Sequence, residues 1–180
     1  DGTVRPPTAA ISRPIGSLDV TQLELYETEA VTFSLTFASL TNPFDLHNGF
    51  TFPVIEVYVD DYSETGSTTL LPGSGMRLPG GASWKYAFKL TGDTLQLFEA
   101  TAEGWQEVSS KYATTVSVQG NSVVVSSSLP YPERFDAYGM VGSYIPFNET
   151  GWMPMSRSQS PWAYSSGTQT FPVLDVIAPT

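Results

Sequence analysis

The sequence predicts an all-β protein that folds as a two-layer antiparallel β-sandwich of jelly-roll type, with little helix. Every second residue from Val31 to Phe37 is apolar, and this period of two places the apolar side chains on one face of a strand. A polar connector, 42–49, then leads into a more continuously apolar run, 50–59. A half-buried strand followed by a better-buried strand is typical of two stacked sheets.

The chain is predicted to begin with an extended arm, residues 1–17, followed by a single sandwich domain, residues 18–180. The arm contains three prolines and little periodic hydrophobicity, which favours an extended backbone. Ala9, Ile11 and Ile15 stand at odd positions. Their spacing would let one side of the arm fill a groove or pair with a sheet edge in another copy of the chain.

The remaining strands follow from alternation between turn signals. Gly92-Asp93 and Gly120-Asn121 mark turns, whereas residues 60–83 are rich in Asp, Ser, Thr, Gly and Pro and predict one long loop. Trp84 opens an alternating strand with Tyr86 and Phe88 and is expected to pack in the core on the same side as they do. Further strands are predicted at 18–25, 84–90, 95–97, a hairpin over 112–127, 137–144 and 170–177.

Composition narrows the classes of function. The chain of 180 residues carries a net charge of −10, so phosphate backbones repel it and nucleic acid is not an expected partner. It has no cysteine, which excludes disulfides and thiolate chemistry. No segment is long and apolar enough to span a membrane. Low charge content with many hydroxylated residues is typical of secreted and cell-surface proteins.

An ordered set of short motifs resembles the C-terminal module of glucodextranase, over about residues 18–155. Related modules occur in archaeal pullulanases and in surface-layer-type proteins. The motifs that carry the resemblance are Leu18-Asp19-Val20-Thr21, Asn42-Pro43-Phe44, Asn48-Gly49-Phe50, Val57-Tyr58-Val59-Asp60, Leu71-Pro72-Gly73, Ser83-Trp84-Lys85-Tyr86-Ala87, Val141-Gly142-Ser143-Tyr144 and Gly151-Trp152.

This resemblance implies a DOMON-like β-sandwich that is non-catalytic and lies outside the cell. Some relatives hold a structural calcium ion through an acidic, glycine-rich segment ahead of the first strand. The present chain departs from them there, because Asp1-Gly2 is followed by Arg5 and prolines. It departs again at Phe44, where many members have tryptophan after Asn-Pro.

No catalytic residues are predicted. His47 is the one histidine of the chain, so a serine or cysteine triad would depend on this residue alone. Asp60 and Asp61 would point to opposite faces of a strand and could not act on one sugar together. The loop that contains Asp60, Asp61 and Glu64 is expected to be solvated, with calcium binding as the alternative, since hard cations prefer several oxygens from an irregular loop.

Three tryptophans are candidates for contact with a ligand or partner. Trp105, Trp152 and Trp162 stand in loop-like segments, where an aromatic ring could stack on a sugar or a protein. Local packing is the alternative for each.

Two further sites are considered. Haem b, which some DOMON domains bind, would require His47 to act with a methionine, the candidates being Met76, Met140, Met153 and Met155. Asn148-Glu149-Thr150 matches the N-glycosylation pattern in a loop-like segment.

Three functions follow from these observations. The first is a non-catalytic extracellular subunit that assembles with copies of itself into a filament or surface layer through its arm and strand edges. The second is a carbohydrate-binding module for α-glucan or cell-wall glycan, and the third is a haem b-binding domain. Calcium is the one other cofactor considered.

Overall fold

Alternating apolar residues build two antiparallel sheets. The computed structural model describes residues 15–26, 28–156, 164–165 and 173–177. Its elements, in chain order, are a 3-10 helix η1 (Ile15–Leu18) and the strands β1 (Val20–Tyr26), β2 (Ala30–Phe37), β3 (Pro53–Asp60), β4 (Tyr86–Leu90), β5 (Leu95–Thr101), β6 (Gly104–Glu107), β7 (Thr114–Gln119), β8 (Ser122–Pro130), β9 (Asp136–Ser143), β10 (Met155–Ser156), β11 (Tyr164–Ser165) and β12 (Val173–Ile177).

The sheets have four and six strands. Their orders are β1-β2-β8-β7 and β12-β9-β3-β4-β5-β6, and every pair within them is antiparallel. The short strands β10 and β11 form a separate parallel pair. The predicted all-β sandwich is therefore confirmed, and η1 is the one helical element among the described residues.

The inner core lies between the two sheets. The apolar face of β2 is buried, as the alternation from Val31 to Phe37 predicts. Across the core, the rings of Phe33 and Phe88 meet edge to face with centroids 5.1 Å apart. Each buried aliphatic or aromatic side chain of this kind stabilises the fold by about 1.5–3 kcal/mol.

A second cluster covers the outer face of the six-stranded sheet, and it explains why β3 is buried along its whole length. Val54 and Tyr58 point away from the inner core and pack against residues of the loop between β3 and β4, here called the cover loop (residues 61–85). The strand therefore has a covered surface on both faces. Such strands show continuous apolar runs instead of alternation.

The structure corrects the predicted orientation of Trp84. It is buried, but in the outer cluster, whereas Tyr86 and Phe88 contact the inner core. The expected shared face is wrong because Trp84 precedes β4 and pairs with Ser67 of the cover loop in an isolated bridge. Its indole N–H donates to the carbonyl of Thr69 at 2.9 Å.

The predicted arm is described from residue 15 onwards. Residues 15–18 form η1 instead of an extended strand, and Leu18 packs against the inner core. Ile15 begins this helix, whereas Ala9 and Ile11 lie outside the described residues.

Candidate functional site

An open groove lies at one end of the sandwich, where three connections meet. These are the β2–β3 connector, the β4–β5 turn and the segment that follows β9. The groove has a volume of about 620 Å³, which is within the range of small-ligand sites. Its lining residues are Phe44, Leu46, Thr51, Phe52, Asp93, Tyr144, Ile145, Pro146, Phe147 and Met153.

Asn42 folds the β2–β3 connector into a compact loop. Its side-chain amide donates to the carbonyl of Leu46 at 2.9 Å, and its side-chain oxygen accepts from the Leu46 N–H at 2.9 Å and the Thr51 hydroxyl at 2.8 Å. An asparagine side chain that bonds nearby backbone in this way fixes a turn. The loop presents Phe44 and Phe52 to the groove.

Asn48 holds the connector against the β4–β5 turn. Its backbone N–H donates to the carbonyl of Gly92 at 2.7 Å, and its side chain donates to the carbonyl of Thr91 at 2.8 Å. A Cβ at Gly92 would lie 2.3 Å from the carbonyl oxygen of Phe50. The close approach requires glycine, and it brings Asp93 to the groove.

Residues 144–153, here called the groove wall, form the opposite side. Tyr144 pairs with Trp152 in an antiparallel bridge, and the N–H of Ile145 donates to the carbonyl of Gly151 at 2.9 Å. Gly151 has a φ of 74°, a left-handed conformation that glycine adopts without strain. The wall is thus a small closed loop.

Two phenylalanine rings give the groove its exposed apolar surface. Phe44 is 60% exposed and Phe147 is 93% exposed. The ring of Phe44 is supported from behind by Phe52, with centroids 6.4 Å apart. Neither residue is among the sequence-predicted contact residues, although an aromatic ring at Phe44, where many members of the resembled family have tryptophan, is a signal for this position.

The three tryptophan candidates have different outcomes. Trp152 is wrong as a contact residue, because the structure leaves only 1% of it exposed and its indole N–H donates to Glu56 at 2.8 Å. Trp105 lies on β6, an edge strand and not a loop, is 41% exposed and packs edge to face on Phe98 at 5.3 Å. It does not line the groove. Trp162 lies outside the described residues.

Two of the three candidate calcium ligands, Asp60 and Asp61, accept hydrogen bonds within the protein. Asp60 is buried and accepts hydrogen bonds from the N–H of Tyr62 and the hydroxyl of Ser83, both at 2.9 Å. Asp61 accepts a backbone N–H two residues along. Within the part of the chain that the structure describes, no three His, Cys, Asp or Glu side chains are grouped to hold a metal ion. Asp60, Asp61 and Glu64 therefore do not form such a group.

A polar cluster lies at the other end of the sandwich, around Tyr62. This residue has a φ of 58°, and its hydroxyl donates to Asp136 at 2.8 Å. That hydrogen bond is the main cause that raises the pKa of Tyr62. The guanidinium of Arg134 lies 5.2 Å from the centre of the same ring, so these side chains hold one another in place.

Of the residues considered for haem, His47 is exposed, whereas Met140 and Met153 are buried. His47 is exposed in the β2–β3 connector, where its backbone N–H donates to Asp93 at 3.3 Å. Met140 is buried in the outer cluster, and it could not reach an iron ion unless that cluster opened. Met153 is also buried, although it borders the groove.

Asn148 has a structural part in the groove wall. Its side-chain N–H donates to the carbonyl of Trp152 at 3.1 Å, and its side-chain oxygen accepts from the N–H and hydroxyl of Thr150, both at 3.0 Å. The residue is exposed. Its glycosylation stays a prediction.

The chain matches one family over residues 1–180, and the description of that family is the C-terminal, SLH-like binding module of glucodextranase. A comparison with curated proteins gives no significant match. The helices of the described residues include none that is long and apolar enough to cross a membrane. Because the match covers the whole sequence, it shows the family that the ordered motifs indicated. The chain belongs to the family of C-terminal, SLH-like binding modules of glucodextranase.

Proposed function

We propose that this protein is a non-catalytic module that binds a neutral polysaccharide outside the cell, with the groove as its binding site. The observation that carries the proposal is the pair of exposed rings, Phe44 and Phe147, on either side of an apolar groove in a member of a binding-module family. The family description supports a carbohydrate or cell-surface role in preference to catalysis.

Stacking on aromatic rings is the chemistry that the groove offers. One face of a pyranose ring presents C–H groups, which favour contact with an aromatic face. Phe44 contacts Phe52 edge to face and keeps most of its surface exposed, so its ring is available for such stacking. Asp93, which is exposed and lines the groove, could accept hydrogen bonds from sugar hydroxyls and fix the orientation of the glycan.

The charge of the groove favours a neutral glycan. Of the described residues that line it, Asp93 is the one charged residue, and the whole chain carries a net charge of −10. A polymer with carboxylate, phosphate or sulfate groups would be repelled both by Asp93 in the groove and by the net negative charge of the whole chain. A neutral α-glucan fits better than an acidic cell-wall polymer.

Self-assembly of the protein stays a prediction. Its arm lies mostly outside the described residues, and one of the four edge strands of the two large sheets, β6, gives it little support. The edge strand β6 has four residues, Gly104–Glu107, and short edges that carry charge resist pairing with other chains.

Affinity electrophoresis in native gels tests the proposed function. Dextran, pullulan and soluble starch serve as neutral probes, and dextran sulfate is a charged match for dextran. We expect at least one neutral polymer to retard the wild type, no retardation by dextran sulfate, and loss of retardation in the Phe44→Ala/Phe147→Ala variant. Equal mobility of wild type and variant in all gels would refute the proposal.

A further inference from the structure

We propose that Glu56, which lies outside the groove, is a positioning residue for polysaccharide binding, because its buried carboxylate holds Trp152 and thereby sets the place of the groove wall. This inference rests on the proposed function of the groove. Glu56 lies on the same face of β3 as Val54 and Tyr58 of the outer cluster.

The carboxylate of Glu56 is fully buried and fully partnered. One oxygen, Oε1, accepts from the indole N–H of Trp152 at 2.8 Å and faces the ammonium group of Lys89 at 3.1 Å. The other oxygen, Oε2, accepts from the hydroxyl of Tyr58. Glu56 is 0% exposed. A charge at such a depth persists only where each oxygen has a partner.

Trp152 transmits this contact to the groove. It is the pairing partner of Tyr144, and its neighbour Met153 lines the groove. Its carbonyl accepts from the side chain of Asn148 at 3.1 Å. The indole is therefore the one side chain, of those described in the wall, that bonds the wall to a carboxylate within the sheet. Because the ring is also packed in the outer cluster, the bond to Glu56 restrains the backbone at Trp152, which carries the bridge to Tyr144.

A second branch of hydrogen bonds leads from Glu56 through Tyr58 to the cover loop, without passing through the indole of Trp152. The hydroxyl of Tyr58 accepts the N–H of Leu71 at 3.1 Å, and Leu71 belongs to the cover loop. Neither residue lines the groove. Tyr58 and Trp152 thus bond the same carboxylate, yet only Trp152 is part of the groove wall, so Tyr58 provides a matched control.

The experiment compares two double variants that both remove the buried ion pair. Glu56→Gln/Lys89→Met keeps a side-chain carbonyl that can accept the indole N–H, whereas Glu56→Leu/Lys89→Met has no acceptor. Replacement of a buried ion pair by apolar residues is often near neutral for stability, so both variants should fold. Tyr58→Phe is the control, because it removes the hydrogen bonds that join Glu56 to the cover loop and leaves the bond from Trp152 in place.

Two quantities are measured at a temperature well below unfolding. The first is affinity for whichever of dextran, pullulan or soluble starch retards the wild type. The second is amide hydrogen exchange at Ile145, Gly151 and Met153, whose N–H groups are bonded within or beside the wall. We expect the Leu variant to bind about tenfold more weakly and to exchange at least tenfold faster at these amides. The Gln variant and Tyr58→Phe should stay within about threefold of wild type in both.

Equal affinity and equal exchange in the two double variants would overturn the inference. If wild type binds none of the polymers, the proposed function fails, and the exchange comparison alone decides whether Glu56 positions the wall. Should the Leu variant not fold, Trp152→Phe makes the same comparison, since it removes the donor instead of the acceptor. Wild-type exchange and affinity in Trp152→Phe would likewise count against Glu56.

Discussion

The indole N–H of Trp152 donates to Oε1 of Glu56 at 2.8 Å, across 96 residues of sequence. This bond joins the loop after β9 to the middle of β3, on the outer face of the six-stranded sheet. It also decides the place of Trp152. A tryptophan with its N–H satisfied inside the protein can be buried whole, and the ring is then lost to any ligand.

Removal of the Glu56 carboxylate should destabilise the fold severely. In Glu56→Ala the ammonium of Lys89 and the indole N–H of Trp152 lose their acceptor in a buried site. We expect a loss of about 3–5 kcal/mol in the free energy of unfolding, measured by urea denaturation. The control is Glu103→Ala, at an exposed residue, which should change stability by less than about 0.5 kcal/mol. Similar losses in both variants would contradict the importance of the network.

Gly73 should not tolerate a side chain. Its φ is 121°, and a Cβ there would lie 2.2 Å from Cδ1 of Trp152. Gly73→Ala therefore combines backbone strain with a clash against a buried ring, and we expect a loss of at least 2 kcal/mol, roughly.

Gly80 is the matched control for this prediction, because a Cβ at that position meets nothing within 4 Å. Gly80→Ala in the same cover loop should be neutral or slightly stabilising. Thermal unfolding of the two variants makes the comparison. A Gly73→Ala protein as stable as Gly80→Ala would mean that the cover loop does not lie against Trp152.

Tyr58 should make stability depend on pH in alkaline solution. Burial, and next the Glu56 carboxylate, raises the pKa of Tyr58 well above its usual value of 10.0. Above that value the unfolded chain releases the proton while the folded protein keeps it. The stability that this group contributes is thus complete below pH 10 and falls above it, by about 1.4 kcal/mol per pH unit.

Tyr58→Phe should remove that part of the alkaline slope, as measured by urea denaturation between pH 9 and pH 11. Phe33→Leu, a core variant that has no hydroxyl to lose, should keep the wild-type slope. Parallel slopes for Tyr58→Phe and wild type would show that Tyr58 is not held protonated.

Phe147 in the groove and Trp105 on β6 are both exposed, but only Phe147 should contribute to glycan binding. Phe147→Ala removes a ring that is 93% exposed in the groove, so stability should change by less than about 0.5 kcal/mol. Affinity for a neutral glycan should fall about fivefold, since one ring contact of this kind contributes on the order of 1 kcal/mol. Trp105→Ala on β6 should leave affinity unchanged. Isothermal titration with the polymer that retards wild type checks both, and the reverse pattern would move the site to the β6 edge.

The sheets could be predicted because their signal is local. Alternation from Val31 to Phe37 follows directly from one buried face. β6 was not predicted, since its four residues are all exposed and carry no alternation of burial. The nearly continuous apolar run over residues 50–59 predicts a well-buried strand. Only the structure shows that an irregular loop covers the outer face of this strand, β3.

The groove could not be predicted in the same way, because it depends on contacts between distant segments. Phe44 and Phe147 line one groove, whose two sides carry the bond from Asn48 to the β4–β5 turn and the bond from Trp152 to Glu56. From the sequence alone, a tryptophan in a loop-like segment is a better candidate for ligand contact than a phenylalanine. The buried acceptor for the indole of Trp152 lies 96 residues away in the sequence, so no local sequence pattern predicts this contact.

The affinity of the wild type and of Phe44→Ala/Phe147→Ala for a neutral glucan tests the central claim most directly. Both rings are largely exposed, so the variant should fold as the wild type does, and circular dichroism verifies this. We predict that the wild type binds at least one of dextran, pullulan and soluble starch and that the variant binds it at least tenfold more weakly. Equal affinity of a folded variant, or no binding by the wild type, would contradict the assignment of the groove.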